Sequence, residues 1–147
     1  MYGSYGCILQ IDLTTGKTAT LQPPEAVYAA SLGGRGLATW YLLENNPPGI
    51  DPLEPENLLI FATGPATGTG IWGSSRYGVF TKSPQTGLFS ESYSGGKVPQ
   101  AVAATGYDAV VISGKSAAPV ILAITPDGVT LHAAGTTWGK DTYATQA

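Results

Sequence analysis

Apolar and polar positions alternate from the start of the chain. Cys7, Leu9, Ile11 and Leu13 alternate with Gln10 and Asp12, the period-two pattern of a half-buried strand. Thr14-Thr15-Gly16 supplies a turn and Lys17 to Leu21 returns as a second strand, so the opening reads as a β-hairpin. Pro23-Pro24-Glu25 then opens a short helix, because proline is tolerated in a first helical turn. Its body is Ala26, Val27, Ala29 and Ala30, and Gly33-Gly34 is expected to stop it. Leu37, Trp40, Tyr41 and Leu43 stand at helical spacing and predict a second helix from about Gly36 to Glu44, ended by Asn45-Asn46-Pro47-Pro48-Gly49.

Beyond Leu58 the strand pattern dominates. Leu58-Leu59-Ile60-Phe61-Ala62 is a continuous apolar run suited to a strand buried on both faces. A glycine-rich loop follows, from Thr63 through Gly64, Gly68, Gly70 and Gly73 to Ser75. Arg76 to Lys82 and Leu88 to Ser92 read as strands around the turn Ser83-Pro84-Gln85-Thr86-Gly87, and Ser94-Gly95-Gly96 leads into a helix over Val98 to Ala104. Tyr107 to Ser113 is a further strand, and Pro119 to Thr125 pairs with Val129 to His132 across Pro126-Asp127-Gly128. The sum is one α+β, β-rich domain over residues 1–147, without internal repeats. Gly139 to Ala147 has the form of a helix start with Asp141 as its N-cap, and reads as the front of something longer.

Composition narrows the classes of function. Charged residues make only 12 % of the chain, roughly half the ~25 % usual for a soluble domain. Apolar residues at 43 % are enough for a core and argue against disorder. The net charge is −3 and the seven basic residues are scattered singly, which argues against nucleic acid. No secretory signal is visible and the apolar runs are too short to span a membrane, so a cytoplasmic protein is expected. One cysteine, Cys7, cannot form an internal disulfide, a zinc site or an iron–sulfur site within this chain, and reads as a small buried residue in a strand. His132 is the sole histidine, so neither a Ser–His–Asp relay nor a histidine metal cluster suggests itself. Sparse charge has two explanations: a surface coated with Ser, Thr and Gly, or a surface covered by other protein or a cofactor, the second being favoured.

Several stretches could carry chemistry. Gly64 to Gly70 spaces its glycines as G-x-x-x-G-x-G, which is not a dinucleotide fingerprint. Gly96-Lys97 resembles the end of a phosphate loop, but position 98 is Val where Ser or Thr should meet Mg²⁺, and position 91 is Glu where the leading glycine should stand. Ser94-Gly95-Gly96 before a helix can still hold an anion on backbone N–H groups, or can be a helix start with close backbone packing. Arg76, set among small residues in a chain with two arginines, can fork onto a phosphate or a heterocycle, or can be an exposed strand-edge arginine. Arg35 in Gly33-Gly34-Arg35-Gly36 has the same alternatives, with a helix-end role favoured. Asp51, Glu54 and Glu56 lie in a proline-rich loop and read as a solvated connector.

The order of these stretches resembles a known family. Tyr2-Gly3, Gly33-Gly34-Arg35-Gly36-Leu37-Ala38 and Asp51-Pro52-Leu53-Glu54-Pro55-Glu56-Asn57 before Leu58-Leu59-Ile60 come first. Gly64-Pro65-Ala66-Thr67-Gly68-Thr69, Ser75-Arg76-Tyr77, Thr81-Lys82-Ser83-Pro84, Ser94-Gly95-Gly96, Gly106-Tyr107-Asp108-Ala109 and Trp138-Gly139-Lys140 follow. Together they resemble the N-terminal domain of the aldehyde ferredoxin oxidoreductase family, the tungsten or molybdenum bis-pterin enzymes, over essentially the whole chain.

The resemblance implies two packed antiparallel or mixed β-sheets with short helices, forming a saddle-like base for a tungstopterin or molybdopterin. Arg76 matches the family's arginine between pterin and cluster. Gly95, within Ser94-Gly95-Gly96, matches a backbone contact to the pterin. Tyr93 stands where the best-known members have Asn, whose main-chain carbonyl helps hold a Mg²⁺ bridging the two pterin phosphates. No catalytic acid or base is implied in this chain. The ligands of a [4Fe–4S] cluster are expected outside it, in C-terminal helical domains that cover the cofactor, with ferredoxin or an electron-transfer subunit as acceptor and an aldehyde as substrate. The isolated chain is then expected to be inert. A standalone pterin- or anion-binding module, or a self-associating piece that forms a homo-oligomer, is the alternative.

Overall fold

The computed structural model describes residues 3–125 and 127–146. Tyr2 of the first motif, Pro126 of the expected turn and the terminal Ala147 lie outside them. The elements run in the order β1 (Ile8–Asp12), β2 (Thr18–Leu21), α1 (Glu25–Ser31), α2 (Gly34–Asn45), β3 (Leu59–Thr63), β4 (Tyr77–Lys82), β5 (Phe89–Ser94), α3 (Val98–Ala104), β6 (Ala109–Ser113), β7 (Val120–Thr125), β8 (Gly128–Ala133) and α4 (Thr142–Gln146). Six strands form one sheet in the order β2-β1-β6-β3-β4-β5, and β7 pairs with β8 in a second. β1 and β6 are parallel and every other pairing is antiparallel, so the large sheet is mixed. The fold is strand-rich α+β, with two sheets and short helices.

Strand periodicity sorts the core into two layers. Ile8, Ala109, Val111, Ile60, Ala62 and Phe80 point to one face, where Tyr28 of α1 and Leu37, Ala38, Tyr41 and Leu42 of α2 cover them. Leu9, Ile11 and Val110 point to the other, against Leu122, Ile124 and Val129 of the β7–β8 hairpin. Each fully buried aliphatic or aromatic side chain in these layers contributes about 1.5–3 kcal/mol. The run Leu58–Ala62 alternates in burial: Leu58, Ile60 and Ala62 are buried, Leu59 and Phe61 half-buried. The expectation of burial on both faces therefore holds for one face only, because the hairpin covers β1 and β6 more fully than β3.

Two helix boundaries differ from the sequence expectation. Leu32, not a glycine, caps α1 in the left-handed region at φ 62°, its N–H donating to the Tyr28 carbonyl. Gly34 then begins α2 instead of ending α1. Gly36 makes the tight corner between the helices: a Cβ there would stand 2.5 Å from the Ser31 carbonyl oxygen. At the C-terminus, Asp141 does cap α4, its Oδ1 accepting the Ala144 N–H at 2.8 Å.

The N-terminal segment is held by a buried carboxylate. Asp108, at the entrance to β6, accepts hydrogen bonds from the N–H groups of Tyr5 (2.9 Å), Gly6 (2.8 Å) and Cys7 (3.3 Å) and from the Tyr28 hydroxyl (2.8 Å). Cys7 precedes β1 and is half-buried, its thiol donating to the Gly106 carbonyl at 3.3 Å. Burial first, and the Asp108 charge second, raise the thiol pKa, so Cys7 is a protonated packing residue.

Candidate functional site

β5 is the outer strand of the large sheet, and its register with β4 brings the predicted residues together. Tyr77 pairs with Ser94, Gly78 with Tyr93 and Val79 with Ser92. Gly95 and Gly96 continue from the end of β5 beside the turn that delivers Arg76 to the start of β4. The Ser75 hydroxyl donates to the Gly96 carbonyl at 2.6 Å, tying the two segments. A Cβ on Gly95 would stand 3.2 Å from the Ser75 carbonyl oxygen and 3.9 Å from Arg76 Nη1. A side chain at 95 would press on the Ser75 carbonyl and meet the arginine only at ordinary contact distance. Gly96 sits at φ +81°, in the left-handed region, with open space where a Cβ would be.

Arg76 is exposed, and among the described residues the one ion pair is a different one, Arg35 Nε to Glu91 Oε2 at 2.8 Å. Arg35 stands in the first turn of α2 instead of at the helix end expected of it, and it reaches across to Glu91 on β5. Arg76 presents its guanidinium at a rim of small residues with no carboxylate on it.

Tyr93 and Ser94 serve opposite faces, as consecutive strand residues must. The Tyr93 ring stands edge-on to Phe80 with centroids 5.8 Å apart, and its hydroxyl donates to Glu91 Oε2 at 3.2 Å. A Cβ on Gly78, its cross-strand partner, would collide with the Phe80 ring and stand 3.1 Å from Tyr93 Cε1. Partial burial first, and the Glu91 hydrogen bond and charge second, hold the Tyr93 phenol above its usual pKa. At 51 % exposure the ring remains an open lid on that corner. The backbone of Tyr93 is free of β4. Ser83 N–H donates to the Leu88 carbonyl at 2.8 Å, which makes Ser83 and Leu88 a hydrogen-bonded pair. Alternation along the ladder then leaves Gly78 and Tyr93 a non-hydrogen-bonded pair, so the Tyr93 carbonyl points to the outer edge of the sheet.

The glycine-rich loop after β3 braces this rim from behind. Thr67 is 8 % exposed, and its hydroxyl lies 3.1 Å from the Ser74 carbonyl and 3.0 Å from that of Arg76. Sequence reading passed over Thr67; the usable signal was a hydroxyl residue among glycines, since Ser and Thr side chains bond local backbone. Trp72, at the tip of the same loop, is 99 % exposed. Other predicted features lie apart from the rim. Asp51, Glu54 and Glu56 are exposed in the loop between α2 and β3, with Asp51 Oδ1 accepting the Leu53 N–H at 2.9 Å, a turn contact. His132 lies on β8, bonded to the Thr130 hydroxyl at 2.9 Å. α3 spans seven residues and its N-cap, Lys97, makes no side-chain cap bond.

An exposed guanidinium and two glycines with accessible backbone define a shallow polar rim that can meet an anion, and the outward carbonyl beside it can meet a donor or a cation. Comparison with known proteins gives the family. Residues 8–147 match the family model described as aldehyde ferredoxin oxidoreductase, N-terminal domain, and the chain belongs to that family. It is 40 % identical over all 147 residues to the tungsten-containing aldehyde ferredoxin oxidoreductase of Pyrococcus furiosus, covering 24 % of that protein. Identity to the enzyme of the same name from Thermococcus kodakarensis is 42 % over the same span, again 24 % of its length. The aliphatic sulfonate oxidoreductase, WOR-like subunit, of Pyrococcus furiosus is 35 % identical over 142 residues, which is 95 % of this chain and 22 % of that one. Among solved structures, the active site complex BamBC of benzoyl coenzyme A reductase, in complex with 1,5 dienoyl-CoA, superposes with a TM-score of 0.93 at 36 % identity. That match covers 99 % of this chain and 22 % of the other. The chain thus spans about a quarter of the length of these curated relatives.

Proposed function

We propose that this chain is the cofactor-binding N-terminal domain of a cytoplasmic tungsten or molybdenum bis-pterin oxidoreductase that oxidises an aldehyde to the carboxylic acid. The observation that carries the reading is the rim itself: Arg76 exposed against the backbone of Gly95, with Ser75 clamping Gly96 beside it. The substrate class follows the relatives at 40–42 % identity, which are named as aldehyde enzymes, over the sulfonate enzyme at 35 %.

When bound, tungstopterin or molybdopterin supplies the redox chemistry, in which aldehyde and water become carboxylic acid, two protons and two electrons. Within this chain Arg76 neutralises and orients anionic or electron-rich atoms of the pterin. Gly95 and Gly96 bring backbone N–H groups to close range, and Ser94 adds a hydroxyl at the end of β5. The Tyr93 carbonyl, directed outward from the sheet edge, would be the group of this chain to hold a Mg²⁺, a role that a carbonyl keeps whatever the side chain. The lone Cys7 cannot hold a [4Fe–4S] cluster, which takes four thiolates. A cluster, a substrate channel and acid–base groups would then be supplied by the regions that make up the rest of the relatives' length, with a ferredoxin or electron-transfer subunit as acceptor. The isolated chain is inert by this account.

Replacing Arg76 by Ala in the whole protein, produced in a host that makes the cofactor, tests the reading. Tungsten or molybdenum per polypeptide is expected to fall at least several-fold while the fold persists by circular dichroism. Full metal content in the variant contradicts the assigned role.

A further inference from the structure

Nothing attached to the Arg76 side chain fixes its position among the described residues, so its direction depends on its backbone. That backbone is held at two points. On one side Ser75 grips the Gly96 carbonyl at 2.6 Å. On the other, a single buried hydroxyl, that of Thr67, meets the carbonyls of both Ser74 (3.1 Å) and Arg76 (3.0 Å). A hydroxyl has one proton, so the bond is three-centred and draws both carbonyls toward one point. Thr67 is in turn anchored: its N–H donates to the Gly64 carbonyl at 3.0 Å, and the adjoining Gly68 packs against α3, where an added Cβ would meet Ala103 Cβ at 3.2 Å. Between these points the chain folds back on itself, Ser74 N–H and Oγ both reaching the Ile71 carbonyl and Arg76 N–H reaching the Ser74 carbonyl at 2.8 Å.

We infer that Thr67 is a positioning residue, whose hydroxyl sets the Arg76 peptide and so aims the guanidinium along the Gly95–Gly96 rim. This inference rests on the reading of Arg76 as a cofactor contact. The hydroxyl is the active feature, because a valine of the same shape fills the same space but takes the donor from the Arg76 carbonyl, while the Ser74 carbonyl keeps only the Arg76 N–H.

The test uses Thr67→Val, Thr67→Ser, Arg76→Ala and the Thr67→Val/Arg76→Ala double variant of the whole protein from a cofactor-producing host. The readouts are tungsten or molybdenum retained per polypeptide after dialysis, and the rate of protease cleavage in the 69–74 segment. Partners that orient a binding group are worth about 10- to 100-fold in affinity, so Thr67→Val is expected to lower retained metal by about tenfold. It should also speed cleavage of the loop, while Thr67→Ser matches wild type in both. In the Arg76→Ala background the valine change should add nothing to the metal loss. Wild-type metal retention in Arg76→Ala overturns the underlying reading of the rim. If Arg76→Ala loses metal and Thr67→Val does not, or if the valine effect is undiminished in the double variant, the positioning role is wrong. Should Thr67→Val fail to accumulate as folded protein, Thr67→Ser and Thr67→Cys decide: retention must fall from Ser to Cys with donor strength, and equal retention overturns the inference.

Discussion

β6 and β5 are strands of similar length in the same sheet, and they meet opposite fates. β6, Ala109-Val110-Val111-Ile112-Ser113, lies between β1 and β3 with α1 and α2 over one face and the β7–β8 hairpin over the other. β5, Phe89-Ser90-Glu91-Ser92-Tyr93-Ser94, pairs on one side only and is exposed along most of its length. An edge strand that offers free backbone groups is ordinarily a liability, which proteins manage by short length and charge. Here the edge leads straight into Gly95 and Gly96, and Gly95 lies beside Arg76. The contrast separates a strand that stabilises the domain from one left open along its outer edge, where the ligand surface is proposed.

The comparison breaks most sharply at the foot of β6. Asp108→Ala strips the acceptor from three N–H groups and the Tyr28 hydroxyl, and each buried donor left unpaired costs about 1–3 kcal/mol. Loss of at least about 3 kcal/mol is expected in urea unfolding, together with faster proteolysis before Cys7. Next, paired truncations compare the strands directly: Val111→Ala on β6 should cost about 2 kcal/mol, and Ser92→Ala on β5 no more than about 0.5 kcal/mol. Equal costs would mean that β5 is as much a part of the core as β6.

A pH experiment sharpens the same point. Desolvation first, and the Asp108 hydrogen bond and charge second, push the Tyr28 phenol well above its usual pKa. The unfolded chain releases that proton near pH ~10, while the folded one keeps it. Stability from Tyr28 is thus intact below that pH and is lost progressively as the pH rises above it. Tyr28→Phe should flatten this alkaline limb in a series of denaturant midpoints. The smallest effect is expected on β5: Glu91→Gln removes an ion pair with a largely exposed Arg35, at a cost of under about 1 kcal/mol. It should also lower the Tyr93 phenol pKa toward the ordinary value, as read by ultraviolet titration.

Local structure was legible wherever one residue's neighbours decide its conformation. The opening hairpin followed from alternation and a Thr-Thr-Gly turn, and α3 over Val98 to Ala104 from the lead-in Ser94-Gly95-Gly96. The α1–α2 corner was misjudged because glycine pairs ordinarily end helices, whereas Leu32 took the left-handed cap and freed Gly34 to begin α2. Sheet order was beyond reach, since the parallel pairing of β1 with β6 joins segments about a hundred residues apart. Asp108 was hidden for the same reason: within Gly106-Tyr107-Asp108-Ala109 it looks like a polar strand entrance, and its partners lie near the N-terminus. Of the rim, Arg76 and Ser94-Gly95-Gly96 were legible through residue type and family resemblance. That Ser75 clamps Gly96, and that Thr67 grips Arg76 from behind, required the β4–β5 register.

The most direct test of the account is made on the protein purified from the cells that produce it, by intact mass together with tungsten, molybdenum and iron analysis. The account predicts tungsten or molybdenum bound together with iron, on a polypeptide that extends well beyond these residues. A purified, folded protein free of both tungsten and molybdenum would contradict it, leaving the Arg76 rim without its proposed ligand.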